Sequence, residues 1–106
     1  MRDVVSFYAA LSDKTRLRLL SLMVRGEVCV CHLQGSLQTN QPKISRHLAC
    51  LRKAGLVEAR RDGRWTHYRL KKLEGDFGKI LLQTLNHLRL EPQIKRDFQR
   101  LKRVAC

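Results

Sequence analysis

Two cysteines stand two residues apart in the segment EVCVCHLQ, residues 27 to 34. Thiolates are soft ligands and favour soft, thiophilic ions. In a regular helix the side chains of Cys29 and Cys31 would point about 200° apart, whereas in an extended segment they share a face. An ion bound by both thiols is therefore predicted to unwind or distort the first turn of a helix that begins here. The alternative is a pair of small buried hydrophobic side chains, which free cysteines often are.

The remaining candidate ligands form less complete sets. Cys50 falls inside a predicted helix, off its apolar face, and we interpret it as packing or as a spectator. Cys106 is the last residue of the sequence, and we expect it to be mobile and either a ligand on a tether or without a role. His32 adds only one imidazole to two thiols, so we expect it in solvent rather than on zinc. The sequence shows no catalytic arrangement of Cys, His and Asn and no phosphate-binding loop. We therefore predict that the protein is not an enzyme and has no catalytic cofactor.

The helices that position these residues follow from apolar periodicity and from capping residues. A first helix is predicted over residues 4 to 11 and a second over residues 13 to 25, with Ser12 as its cap and Gly26 closing it. From about residue 74 the helical pattern returns. Pro92 interrupts this last stretch, which predicts either a kinked helix or two consecutive helices.

The middle of the chain predicts a helix-turn-helix at about residues 29 to 54. A short helix carries Leu33 and Leu37 on one face after the cysteines. Asn40 then caps a longer helix that has Pro42 in its first turn and Gly55 just past its end. Two helices joined by a short turn are typical of a DNA-binding helix-turn-helix.

A basic β-hairpin is predicted at about residues 56 to 70. The segments LVEARR and RWTHYRL have the character of strands, and Asp62-Gly63 between them is a strong signal for a tight turn because glycine accepts positive φ. A basic hairpin after a helix-turn-helix is a wing. We therefore predict one domain over residues 1–106, mainly α with a β-hairpin wing.

The charge points to a polyanionic partner. The chain has 22 Lys and Arg against 9 Asp and Glu, a net charge of +13. Basic side chains bind nucleic acid by releasing its condensed counterions. Double-stranded DNA is the predicted partner, and an anionic membrane surface is the weaker alternative. The predicted DNA contacts lie at the start of the second helix of the helix-turn-helix and beside the wing turn: Gln41, Lys43, Ser45, Arg46, Arg61 and Arg64.

Two other interpretations of this surface remain. The basic side chains could be only a solvated face, although the cap, the turn, the amphipathic helix and the basic hairpin come in the right order. Trp65, His67 and Tyr68 could stack on RNA bases, but aromatic side chains alternating on a wing strand are more often packing. An architectural or RNA-binding protein would bind without sequence preference.

The combined pattern resembles a known family. The segments ALSDKTRLRLL, GEVCVCHL, NQPKISRHLACLRKAGLV and RRDGRWTHYRL are similar to arsenic-responsive repressors of the ArsR/SmtB metalloregulators, over about residues 8 to 70. The resemblance implies a winged-helix homodimer that binds a near-palindromic operator. It also implies that the subunits pair through the first and last helices, here about residues 3–11 and 74–103.

The resemblance assigns the cysteines a role. Trivalent arsenic or antimony is the implied inducer, bound by Cys29 and Cys31, and its binding releases operator DNA. Gln34 stands where such repressors commonly carry a third cysteine. Cys106, Cys50, another subunit or an exogenous ligand would then complete the site. The zinc site of related sensors is judged absent, because Gly78 occupies the position of one of its histidines.

A thiol-based redox repressor is the alternative function. It would use the same winged helix, with Cys29 or Cys31 oxidised rather than bound to an ion. Adjacent-but-one cysteines form only a strained disulfide, which favours metalloid binding. No signal peptide and no apolar run of about 20 residues is visible, so we expect a cytoplasmic protein with reduced thiols and no membrane partner.

Overall fold

The computed structural model describes residues 1 to 106 as six helices and a three-stranded sheet. In chain order the elements are α1 (Arg2–Leu11), α2 (Lys14–Leu22), β1 (Val28–Cys29), α3 (Val30–Leu37), α4 (Gln41–Lys53), β2 (Val57–Asp62), β3 (Trp65–Leu70), α5 (Gly75–Leu88) and α6 (Pro92–Arg103). None of the six helices combines the length and the apolar character that a membrane span requires.

The start of α2 is capped by Asp13, so the prediction that Ser12 caps this helix is wrong. The Asp13 carboxylate accepts a hydrogen bond from the backbone N–H of Arg16 at 3.0 Å. The Ser12 hydroxyl instead donates to the carbonyl of Ala9 at the end of α1, at 3.0 Å. α2 also ends at Leu22, short of the predicted end at residue 25, because the chain enters turns over residues 23 to 25.

The boundaries of α4 are as predicted. The Asn40 side chain accepts a hydrogen bond from the backbone N–H of Lys43 at 2.9 Å, and Pro42 lies in the first turn. Gly55, just beyond the helix, has φ of 78°, a conformation that favours glycine. One face of α4 is fully buried in the core through Ile44, Leu48 and Leu51.

Replacing Asn40 with alanine is expected to lower the free energy of unfolding by about 1 kcal/mol, because it removes the side-chain acceptor of the Lys43 N–H. Asn40→Ser, which can still cap the helix, should stay close to the wild type. Urea unfolding followed by circular dichroism would measure both variants. Equal stability of the alanine and serine variants would contradict the capping role.

The wing hairpin is confirmed, and it gains a strand that was not predicted. β2 pairs antiparallel with β3 from Val57 opposite Leu70 to Asp62 opposite Trp65. Gly63 is the first residue of the two-residue turn and has φ of 61°, as a type II′ turn requires. The additional strand β1 pairs with the other edge of β3, so the order is β1-β3-β2. Two-residue strands give no alternating pattern, which is why β1 escaped the sequence analysis.

The last stretch of the chain forms two consecutive helices that turn back onto the core. α5 ends at Leu88 and α6 begins at Pro92, the second of the two open possibilities. Phe77 of α5 stacks on Phe7 of α1, with ring centroids 4.5 Å apart. α6 packs against α2 and α3 through buried Ile94 and Asp97. Much of the apolar surface in residues 74–103 that was predicted to pair with a second subunit is therefore covered by other helices of the same chain.

Candidate DNA-binding surface and thiol site

The start of α4 presents a polar and basic face to solvent. Gln41, Lys43 and Arg46 are exposed, and Ser45 is half-buried. Gln41 donates from Nε2 to the Ser45 hydroxyl at 2.6 Å. Because the apolar face of α4 is in the core, these four side chains point away from the body of the domain. The arrangement has the form of a recognition helix, and the DNA contacts themselves stay predictions.

The wing tip carries the other two predicted DNA contacts. Arg61 and Arg64 are both exposed, and Arg61 donates from Nε to the carbonyl of Gly63 at 3.2 Å. The Arg64 guanidinium lies 5.1 Å from the ring centroid of Trp65. Trp65, the first residue of β3, is 38% exposed, so its ring is only partly covered. Tyr68, further along β3, does pack against the core.

Arg46→Ala is expected to lose discrimination at particular base pairs, because Arg46 lies near the start of α4, where side chains reach base edges. Arg64→Ala should instead weaken binding to all sequences and flatten the salt dependence by about one unit of slope. Titrations of matched and single-mismatch duplexes at several salt concentrations would separate the two. An equal loss on every duplex for Arg46→Ala would contradict its assignment.

A polar cluster around Arg16, which sequence analysis missed, connects α4 to α1 and α2. Arg16 donates from Nε to the carbonyl of Ala10 at 2.8 Å and from Nη2 to that of Ala9 at 2.9 Å. Its Nη1 lies 3.4 Å from Nδ1 of His47 in α4, which is 3.8 Å from the Asp13 carboxylate. Partial burial raises the pKa of Asp13, but the Arg16 N–H and the charges of His47 and Arg16 lower it by more, to below its usual range. The only sequence signal was the three-residue spacing of Asp13 and Arg16.

Cys29 lies outside the helix whose start it marks. It is the N-cap residue of α3, with φ of −69° and ψ of 143°, and it pairs with His67 of β3. Its side chain is free and buried. The premise that Cys29 and Cys31 both lie in a helical turn is therefore wrong, because Cys29 is extended and only Cys31 is helical. Helical periodicity does not set the angle between the two thiols.

Cys31 and Cys106 form a disulfide, with their Cα atoms 6.3 Å apart. Cys106 is therefore not mobile in the disulfide form, which joins α3 to residues beyond α6. Cys50 is free and exposed, so it does not pack. His32, expected in solvent, is half-buried. The chain gathers no group of three or more His, Cys, Asp or Glu side chains that could hold a metal ion.

A buried carboxylate positions the segment that carries Cys106. Asp97 of α6 is fully buried and accepts hydrogen bonds from Nε and Nη2 of Arg18 in α2, both at 2.8 Å. The hydrogen bond to Asp97 raises the pKa of Arg18. The Ser36 hydroxyl of α3 donates to the Asp97 carbonyl. α6 is thus fastened to α2, which precedes the thiol segment of residues 27 to 31, and to α3, which begins within that segment.

The chain beyond α6 lies close against α3. A Cβ built on Gly35 would come within 2.7 Å of the Val104 side chain, so the contact requires glycine or a shift of Val104. This approach brings residues 104 to 106 across the face of α3 that carries Cys31. An open groove beside the pair is lined by Cys31, Gln34 and Asn40, so it extends from the sulfurs to the cap of α4.

Comparison with known proteins identifies the family. Residues 13–59 match the family model described as bacterial regulatory protein, arsR family. A homodimeric winged helix-turn-helix DNA-binding domain from Mycobacterium bovis superposes with a TM-score of 0.68 and 30% identity, over 85% of this chain and 83% of that one. The chain belongs to the ArsR family. The winged helix-turn-helix fold is thereby confirmed, as is the prediction that the chain is not an enzyme, because the ArsR family consists of regulatory proteins.

Curated relatives of this ArsR-family chain carry arsenic-related names. The arsenic resistance transcriptional regulator ArsR1 of Pseudomonas putida is 49% identical over 74 residues, which are 66% of this chain and 58% of that protein. The arsenical resistance operon repressor of Escherichia coli is 49% identical over 67 residues, 62% of this chain and 57% of that protein. The chain therefore matches little more than half the length of these relatives.

Proposed function

We propose that this protein is a homodimeric, DNA-binding transcriptional repressor that releases its operator when trivalent arsenic or antimony binds its cysteines. The observation that carries the proposal is the position of the thiol segment. Cys29 belongs to the same sheet as the wing, and Cys31 lies in the first turn of α3, the helix that precedes the recognition helix. A change at these thiols therefore acts on both DNA-facing elements at once.

The proposed ligand set is Cys29, Cys31 and Cys106, which this structure does not gather into one site, so Cys29 has to move toward the other two sulfurs when the ion binds. In the reduced protein Cys31 and Cys106 are two thiols that already stand at disulfide distance, which suits one thiophilic ion held between them. Cys29 is the remaining free thiol of the segment and lies at the cap of the same helix. Cys106 thus takes the role that Gln34 cannot fill, since a neutral amide does not replace a thiolate.

A second subunit and double-stranded operator DNA are the proposed partners. Large apolar side chains that remain exposed on α1 and α5 would be covered by a second copy: Val4, Val5, Tyr8 and Leu82. The homodimeric relative from Mycobacterium bovis supports this pairing. The two recognition helices would then meet successive major grooves about 34 Å apart. The proposed location is the cytoplasm, where thiols are kept reduced.

The Cys31–Cys106 disulfide supports a second candidate, a thiol-based redox repressor. The thiols of Cys31 and Cys106 would lose two electrons and two protons to a peroxide. Hydrogen peroxide is thereby reduced to two molecules of water, and an organic peroxide to one molecule of water and one of alcohol. This pair spans 75 residues and escapes the small-ring strain of a Cys29–Cys31 bond.

Binding to the DNA upstream of the protein's own gene tests the proposal. The wild type should sediment as a dimer and prefer this duplex over a scrambled one by about a thousandfold. Arsenite with a non-metal-binding reductant should weaken the complex, whereas peroxide should do so only if the redox candidate holds. A monomer that binds both duplexes equally would overturn the proposal.

A further inference from the structure

The thiol segment is part of the wing sheet, which offers a direct route from the cysteines to the DNA. Val28 pairs with Tyr68 and Cys29 with His67, while β2 pairs with the opposite edge of β3. Because antiparallel strands share backbone hydrogen bonds, a displacement of Cys29 acts directly on the central strand of the wing. Two residues are a short strand, so the pairing needs a further attachment to transmit force.

An ion pair supplies that attachment at the beginning of β1. Arg60 of β2 donates to the Glu27 carboxylate from Nε at 3.1 and 3.2 Å and from Nη2 at 2.6 Å. This is the forked geometry in which guanidinium and carboxylate bind most strongly. His67 Nδ1 lies 3.9 Å from the same carboxylate.

A second ion pair in the same sheet provides a control. Arg69 of β3 donates from Nε to Glu58 of β2 at 3.0 Å. It joins the two long strands of the wing, and neither residue belongs to the thiol segment. Replacing Glu58 with glutamine changes the net charge of the chain by the same amount as replacing Glu27.

We infer that Glu27 and Arg60 are positioning residues that transmit ligand binding at the thiols to the wing. The inference rests on the proposed function. When an ion draws Cys29 toward Cys31, Glu27 moves with β1 and pulls Arg60 and β2 through the ion pair. Arg61 follows Arg60 directly, so the wing arginines lose their position on the phosphates and affinity for DNA falls.

Glu27→Gln and Glu58→Gln test this route, because each removes one carboxylate from an arginine of the wing. The dissociation constant for operator DNA would be measured with and without arsenite, under reducing conditions. In the wild type and in Glu58→Gln, arsenite should weaken binding by about tenfold or more, whereas in Glu27→Gln it should do so by less than about threefold. Calorimetric titration should give the same arsenite affinity in all three proteins.

If a glutamate variant misfolds, the arginine of each ion pair can be replaced instead. Arg60→Gln then takes the place of Glu27→Gln, and Arg69→Gln is its control. The only tryptophan, Trp65 on the wing, gives a DNA-free readout: arsenite should change its emission in the wild type and Glu58→Gln but not in Glu27→Gln. If Glu27→Gln and Glu58→Gln respond equally to arsenite, the inference about the ion pair is overturned, whereas the proposed function is not. Failure of arsenite to release DNA from the wild type would overturn the proposed function.

Discussion

Asp97→Ala is expected to lower the free energy of unfolding by about 3 to 5 kcal/mol, the usual cost of breaking a buried ion pair. The Arg18 side chain is only 14% exposed and would be left without its carboxylate. Gln93, which donates to Asp97 at 3.0 Å, would lose its partner as well. Urea unfolding would measure the loss as a lower midpoint at an unchanged slope.

Two variants make this prediction specific. Asp76→Ala removes an exposed aspartate that takes part in none of the ion pairs, and it should cost less than about 0.5 kcal/mol. The double replacement Arg18→Leu with Asp97→Leu should recover much of the lost stability, because Arg100, the other partner of Asp97, is one-third exposed and no buried charge is left unpaired. If Asp97→Ala unfolds within about 1 kcal/mol of the wild type, the buried pair does not hold α6 in place.

Cys31→Ser is expected to abolish release of DNA by arsenite while leaving DNA binding intact. Cys31 contacts the sulfur of Cys106 and lies in the first turn of α3, where serine can replace it without loss of the helix. Cys29→Ser should behave alike, since serine is itself a favourable N-cap residue for α3. Anisotropy of fluorescent operator DNA should show an arsenite-induced change of less than about twofold in either variant, against about tenfold or more in the wild type.

The other cysteines supply the controls. Cys50→Ser should respond like the wild type, because Cys50 is exposed on α4 and contacts no other thiol. Cys106→Ser should weaken the response to arsenite but spare the response to methylarsenite, whose arsenic already holds one carbon and needs only two sulfurs. Full release of DNA from Cys31→Ser would show that the site is misassigned, and an unchanged arsenite response of Cys106→Ser would remove Cys106 from the ligand set.

The helix-turn-helix and the wing were predictable because their signals are local. Asn40 and Pro42 mark the start of α4, and Gly63 marks the turn of the hairpin, each within a few residues of the element it defines. The alternation of apolar residues then sets which face of each element is buried. These features depend on short stretches of sequence, so the fold class followed from them.

The missed features depend on contacts between distant parts of the chain. Arg18 and Asp97 are 79 residues apart, and Cys31 and Cys106 are 75 apart. The apolar stripe of α6 indicated that the helix is amphipathic, but periodicity does not say whether it covers α3 of the same chain or a second subunit. The same limit applies to β1, whose two residues become a strand only because β3 lies beside them.

An arsenite titration of the preformed complex between the reduced wild-type protein and fluorescent operator DNA tests whether the thiols control DNA binding. Reductant excludes the disulfide, so any effect requires an ion on the thiols. We expect the anisotropy to fall to the value of free DNA as arsenite saturates the cysteines. Anisotropy that stays at the bound value in excess arsenite would contradict it.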